Sequence, residues 1–268
     1  MVKKQQDKIL ADAIGMMDCH RGLEYSHLFD EFLDLSLCLL CNNPNNHQQE
    51  LASRLNEDSD YRNAFTAAME AYGIASEDYH DPLGDVYMDR ISHGHLDQFF
   101  TPENLATLLA KICGSDFLTC NDPTCGSGRL LIAGLKNARD HGVEPWICGE
   151  DLSYTCIRMA TLNMLIHQAR GILRCGDTLR YDQYKMQYFQ IERVFLMDGR
   201  IISTYWQYSP SEKSEISNKM ESWRKLILSY GFWPELPPPS SLFQNCEIID
   251  VKDNLIESNN TLHQLTIF

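Results

Sequence analysis

From about residue 99 the chain alternates short strand-like runs with helix-length segments, and this alternation limits the possible fold more than any other feature. Thr101-Pro102-Glu103 predicts a helix start, with Thr at the N-cap and Pro in the first turn, leading into Leu105, Leu108, Leu109 and Ile112. Phe117-Leu118-Thr119-Cys120 reads as a strand running into Asp122-Pro123-Thr124-Cys125-Gly126-Ser127-Gly128, after which a helix carries Leu130, Leu131, Leu135 and Ala138. A strand at Trp146-Ile147-Cys148-Gly149, a helix from Tyr154 to His167, and strands at Gly171–Arg174 and Val194–Met197 follow. Strands separated by helices of about 10–15 residues need right-handed crossovers. The expected class is therefore α/β, with a central, mostly parallel sheet flanked by helices in a Rossmann-like arrangement.

Ahead of that pattern the chain is helical. Leu23, Leu28, Phe29, Phe32, Leu33, Leu35, Leu37, Leu39 and Leu40 cluster densely until Asn42-Asn43-Pro44-Asn45-Asn46 interrupts them. A second predicted helix runs through Leu51, Leu55, Phe65, Ala68, Met69 and Tyr72 and ends near Gly73. With 268 residues and about 150 per domain, the expected division is a helical region over 1–92 and a Rossmann-like domain over 93–268. Pro237-Pro238-Pro239 predicts a stiff linker, followed by paired strands at 247–251 and 262–268.

Composition narrows the partners. The formal net charge is −14, from 23 Lys+Arg against 37 Asp+Glu. Phosphate contacts need Lys and Arg, so contact with DNA requires a local basic patch or a partner that carries one. The polar N-terminus has no signal-type apolar core, and no apolar run reaches the roughly 18 residues of a membrane span. Ten scattered cysteines fit free thiols in a reducing cytoplasm.

A glycine-rich turn after the first strand of a doubly wound sheet is where such folds bind nucleotides, with the following helix offering unpaired N–H groups. Any strand-to-helix turn favours Gly and Ser, so the turn alone leaves both readings open. The second strand ends in Gly149-Glu150-Asp151. An acid about 20 residues past the glycines can accept hydrogen bonds from ribose hydroxyls, or it can simply cap the helix beginning near Ser153. The third strand ends in Gly176-Asp177-Thr178-Leu179, where a carboxylate can accept from an exocyclic adenine amine or close a plain turn. Three polar strand ends on one edge together favour an adenosine-containing ligand.

Gln98-Phe99-Phe100-Thr101-Pro102, Asp122–Gly128, Gly149-Glu150-Asp151-Leu152 and Gly176-Asp177-Thr178-Leu179, taken in order, resemble the amino DNA methyltransferases. The resemblance is greatest to the adenine-N6 modification subunit of type I restriction–modification systems, and it covers roughly residues 80–180. It implies S-adenosylmethionine as cofactor. Its methionine portion would lie on Phe99, Phe100, Thr101, Pro102, Asp122, Cys125, Gly126 and Gly128, its ribose on Asp151 and its adenine on Asp177. The resemblance further implies DNA as partner, read through a separate specificity subunit, with a homo- or hetero-oligomer both open. Arg158–Leu165 resembles the family's helix after the second strand, in a packing role.

One family element is missing. Enzymes of this kind carry Asn/Asp-Pro-Pro-Phe/Tyr after the fourth strand, because the adenine amine is a weak nucleophile that needs acceptors for its hydrogens and an aromatic to stack the flipped base. Here the fourth predicted strand continues as Met197-Asp198-Gly199-Arg200-Ile201. Asp198 is the candidate catalytic stand-in, and both prolines and the aromatic are absent. Asp97 also replaces the glycine that usually precedes the Phe-Thr-Pro segment. The expectation is that the cofactor pocket persists while the transfer site has been lost or rebuilt. Three functions stay open: an adenine-N6 methyltransferase, a non-catalytic methylase-like subunit holding cofactor or partner proteins, and methyl transfer to RNA or protein.

Other features read as structural. His93 and His95 lack further ligands at metal spacing, so no metal is expected. Cys38-Leu39-Leu40-Cys41 lies in an apolar helical run and reads as buried thiols. Tyr205, Trp206 and Tyr208 fit a core better than a base-stacking surface. Lys213, Lys219, Arg224 and Lys225, interleaved with Glu212, Glu215 and Glu221, read as a solvated helix face.

Overall fold

The computed structural model describes residues 2–92, 99–180, 186–196, 200–229, 233–234 and 264–266. The helical region comprises α1 (Val2–Met16), α2 (Tyr25–Leu40), α3 (Asn46–Glu57), α4 (Ser59–Ala75) and α5 (Pro82–Tyr87). The dense Leu/Phe run forms α2, and Asn45 starts α3 with a reciprocal capping box to Gln48. The single helix expected over residues 51–72 is two. Asp58 ends α3, and its carboxylate accepts the amides of Asp60 (3.0 Å) and Tyr61 (2.9 Å) to begin α4. Gly73 lies inside α4 and does not end it.

Helix α6 (Glu103–Cys113) starts one residue later than expected, with Pro102 itself as the N-cap in extended conformation. Strand β1 (Thr119–Asp122), α7 (Arg129–Asp140), β2 (Trp146–Asp151), α8 (Tyr154–Ile166) and β3 (Arg170–Cys175) follow the predicted alternation. Then come β4 (Gln187–Phe195), β5 (Ile201–Tyr208), α9 (Lys213–Ser229), β6 (Trp233–Pro234) and β7 (Gln264–Thr266). The order is β5-β4-β3-β2-β1-β7, with β6 also on β4. β7, β1, β2 and β3 are parallel.

The fourth strand departs from the expected βαβ pattern. β4 runs antiparallel to β3, and β5 antiparallel to β4. The stretch between Cys175 and Gln187 is shorter than the dozen or so residues that a parallel crossover needs, so the chain turns back. Cys175, at the carboxyl end of β3, pairs with Gln187, and Gly171, near its amino end, pairs with Ile191. Phe195 therefore lies beyond the amino edge of the parallel strands, where it pairs with Ile201. The place beside β1, where strand order reverses, is taken by β7. His93, His95, Asp97, Gln98, Met197, Asp198, Gly199, the proline run and residues 247–251 lie outside the described residues.

One continuous apolar core joins the helical region to the sheet, from Phe29, Phe32, Phe65 and Tyr72 through Leu131, Leu135, Ile157 and Met159 to Leu173, Phe189 and Tyr205. Phe32 meets Tyr72 edge-on at 6.1 Å. Arg158, buried on α8, binds Asp34 of α2 at 2.9 Å and also Asp30. The α2–α3 connection covers the β5 edge: Asn42 N–H donates to the Tyr205 carbonyl, and Asn43 makes two bonds to the Gln207 backbone. Tyr205, Trp206 and Tyr208 are all buried, as a core role requires. Cys38 and Cys41 are half-buried free thiols. On α9, Lys219 and Lys225 pair with Glu215 and Glu221 as a solvated face does, but Arg224 turns inward to the buried Glu192.

His80 joins three helices. Its Nε2 lies 2.9 Å from Asp7 on α1 and 3.7 Å from Asp85 on α5, and its Nδ1 lies 3.5 Å from Glu103 on α6. Burial opposes its charge, but the hydrogen bond to Asp7 and the fields of Asp7, Asp85 and Glu103 outweigh burial, so its pKa is raised. A raised folded-state pKa contributes stability that is complete below the unfolded value of about 6.5 and is lost as pH rises through the folded value. Urea midpoints are thus expected to separate wild type from His80→Gln most at pH 6 and least at pH 9. A constant separation across that range would remove the imidazolium from the account.

Candidate functional site

The carboxyl ends of β1, β2 and β3 are tied into one rim. Cys125 N–H donates to the Glu150 carbonyl at 2.7 Å, Gly176 N–H to the Asp151 carbonyl at 3.0 Å, and Thr178 Oγ1 to the Pro123 carbonyl at 2.8 Å. Three loops that are distant in sequence thereby share one edge, as the spacing of their polar residues predicts.

The glycine turn takes a shape that needs its glycines. Gly126 (φ +54°) and Gly128 (φ +87°) occupy the left-handed region, and Gly128 caps α7 against Ala160. The Gly126 N–H donates to Asp151 Oδ2 at 2.9 Å, and Asp151 Oδ1 accepts from Ser153 N–H at 2.8 Å. Asp151 thus holds the residue before α8 and faces the turn, while the cap of α8 is Ser153, whose hydroxyl accepts from Cys156 N–H at 3.3 Å.

Asp122 is 1% exposed. Its Oδ1 accepts from Thr124 N–H at 3.0 Å, while Oδ2 is buried with no hydrogen-bond partner. Burial, reinforced by the nearby charge of Asp151, pushes its pKa up to about 6. Cys125 is buried, and burial holds its thiol well above the ordinary value, so it is an inert wall of the turn. Asp177 spends Oδ1 on the amides of Leu179 and Arg180, at 3.0 and 3.2 Å, and remains half-buried at the rim.

The Phe-Thr-Pro segment reaches the same turn from α6. Phe100 stacks on Tyr87 (5.8 Å, 20°), and its ring lies against the open face of Gly126. The Thr101 carbonyl accepts from Arg129 Nη1 at 3.2 Å. Pro102 caps α6, and Phe99 is 75% exposed. Phe100, Thr101, Gly126, Gly128 and Asp151 are thus linked around one turn, Asp122 lies within it, and Asp177 flanks it.

Asp81, Arg129 and Asn163 were not singled out by the sequence. Asp81 caps α5: its Oδ1 accepts from Gly84 N–H at 2.9 Å. The same carboxylate accepts from Ser127 Oγ at 2.5 Å, Arg129 Nε at 3.1 Å and Asn163 Nδ2 at 2.7 Å. No spacing rule connects residues 46 to 82 positions apart, so only the packing of α5 against the turn reveals this contact.

An α/β sheet with a left-handed glycine turn and acidic neighbours at its reversal point is a nucleotide-type binding fold. Residues 79–224 match the family model for N-6 DNA methylases, and this chain belongs to that family. A 90-residue stretch is 28% identical to the type I restriction enzyme MjaIX methylase subunit of Methanocaldococcus jannaschii, covering 32% of this chain and 16% of that one. The chain thus spans under a fifth of that relative's length. A type I restriction-modification methyltransferase subunit from Streptococcus thermophilus is 25% identical over 46% of this chain and 29% of its own (TM-score 0.32). A Listeria monocytogenes chain described as a class I S-adenosylmethionine-dependent methyltransferase is 16% identical over 66% of this chain and 54% of its own (TM-score 0.48). Both structural overlaps are partial, and membership rests on the family match.

S-adenosylmethionine fits the residues present. It carries an ammonium and a sulfonium, and the rim offers a buried carboxylate oxygen lacking a partner at Asp122 with a second carboxylate at Asp151. A buried acceptor left without a donor costs about 1–3 kcal/mol, which a cationic ligand would recover.

Proposed function

We propose that the protein is the S-adenosylmethionine-holding part of a DNA adenine-N6 methylase of the type I modification kind. The observation that carries this reading is the unpartnered Asp122 oxygen set behind a left-handed glycine turn that is itself fastened to Asp151. Asp122 holds the ammonium end of the cofactor, and Phe99, Phe100, Thr101, Pro102, Cys125, Gly126 and Gly128 shape the space around its methionine portion. Asp151 holds the ribose and Asp177 the adenine. The sulfonium supplies the methyl group when the cofactor is bound.

Transfer also requires a group that accepts the hydrogens of the adenine amine at the same edge. Asp198 lies outside the described residues, and its flanks Phe195 and Ile201 pair at the opposite edge. The carboxyl end of β7 pairs with Asn121, the residue before Asp122, and a base-holding element is proposed to act at that edge. Cofactor holding is therefore the function proposed for the residues described. DNA is reached through a separate specificity subunit, which fits the net charge of −14. No described helix is long and apolar enough to cross a membrane, and a cytoplasmic location completes the proposal.

Calorimetry tests the reading. Wild type is expected to bind S-adenosylmethionine, and Asp151→Asn to lose on the order of 1–3 kcal/mol of binding, as removal of a charged acceptor predicts. Equal affinities would contradict the ribose role. Absence of binding by wild type would defeat the proposal as a whole.

A further inference from the structure

We infer that Asp81 is a positioning residue for the cofactor's methionine end, acting through Ser127 and Arg129; this rests on the cofactor reading above. Ser127 stands between the two left-handed glycines and is buried. Its hydroxyl donates to Asp81 Oδ2 at 2.5 Å, and its carbonyl accepts from Asn163 Nδ2 at 2.9 Å. Asn163 donates with the same amide nitrogen to Asp81 Oδ1, and its own oxygen accepts from Tyr72 Oη at 2.9 Å. Both polar groups on which the orientation of this residue depends are thus held from behind by buried partners.

Arg129 extends the hold to the second ligand segment. Its Nε donates to Asp81 Oδ2, its Nη2 to Asp85 Oδ1 at 2.6 Å, and its Nη1 to the Thr101 carbonyl. One carboxylate therefore fixes the glycine turn and, through a forked cation, the Phe-Thr-Pro segment. A planar guanidinium suits this because its donors are fixed in direction. A hydrophobic plug could pack α5 against α7 equally well, since a buried ion pair seldom adds net stability over an apolar replacement. What the pair adds is register between two loops that meet around the same part of the ligand; Asp151, which faces the nucleoside, meets this turn only through the Gly126 N–H, and Asp177 makes no bond to Asp81, Ser127 or Arg129.

That separation gives the test. S-adenosylmethionine and adenosine are titrated into wild type, Ser127→Ala and Asp81→Asn, with melting temperatures recorded for each. Ser127→Ala removes a single bond and keeps the chain foldable should Asp81→Asn fail to fold. Both variants are expected to weaken S-adenosylmethionine by about tenfold, the effect of one hydrogen bond to a charged group, and adenosine by less than about twofold on the same basis. Parallel weakening of both ligands overturns the inference, because it is what general loosening of the fold would produce. Unchanged S-adenosylmethionine affinity in Ser127→Ala overturns it also. If wild type binds neither ligand, the cofactor reading fails and this inference falls with it, an outcome distinct from the other two.

Discussion

Near neutral pH, Asp122→Asn is expected to melt about 4–12 °C above wild type, since 1 kcal/mol moves a domain of this size by about 2–4 °C, and yet to bind S-adenosylmethionine poorly. The reason is the buried carboxylate with one unpartnered oxygen. Its folded-state pKa of about 6 lies above the ordinary Asp value near 3.9, burial being the larger cause and the charge of Asp151 the lesser. A raised pKa means that the folded protein holds this proton more tightly than the unfolded chain does. The contribution favours folding below about pH 4 and is lost as pH rises through about 6. At neutral pH the bare anion costs on the order of 2–3 kcal/mol, from about two pKa units at 1.36 kcal/mol each. Asn keeps the Oδ1 acceptor for Thr124 and removes the charge.

The ligand reverses the balance. A cation at Oδ2 needs the anion, so wild-type affinity for S-adenosylmethionine is expected to rise as pH passes through about 6 and to level off above it. Asp122→Asn should show a weak, pH-independent affinity, lower by about 10–100-fold, as loss of a charged hydrogen bond predicts. Calorimetry from pH 5 to 8, with thermal melts of the ligand-free proteins, checks both halves. A variant that binds as tightly as wild type, or one that melts lower at neutral pH, would refute the assignment of Asp122.

The second large effect is structural. Gly171→Ala is expected to destabilise the fold by more than about 3 kcal/mol, the range reserved for steric disruption of the interior. A Cβ at this position would stand 1.9 Å from the Ile147 carbonyl oxygen and 2.7 Å from its carbon, both backbone atoms of β2. No side-chain rotation can relieve that contact; β2 and β3 would have to separate where Ile147 pairs with Gly171. The rim depends on the same pairing, because Asp151 and Gly176 sit at its carboxyl end. Soluble expression and a urea midpoint equal to wild type would show that the strands shift at little cost.

Much of the sheet was legible because its information is local. The glycine turn, the acids ending β2 and β3, and the amphipathic α7 each lie within a few residues of their own signal, and the crossover rule then places them on one edge. Asp58 was missed for an equally local reason: a capping carboxylate inside a continuous apolar periodicity splits a helix without changing the spacing of its apolar residues. The direction of β4 was misjudged because an apolar run such as Val194-Phe195-Leu196 carries no mark of direction; the length of the connection before it decides that. Arg224 likewise looked like part of a solvated face until Glu192 appeared beneath it.

From its residues alone this chain determined an α/β sheet with a ligand-type turn after β1 and two acids at the neighbouring strand ends, since turn geometry and hydrogen-bonding capacity are properties of short segments. Only the tertiary structure decided that Asp122 is buried with an unused oxygen, that Asp81 grips the turn from behind, and that β7 rather than β4 lies beside β1. Each of these depends on desolvation or pairing between segments tens to more than a hundred residues apart, and such proximity is set by how helices and strands pack, which no local pattern encodes.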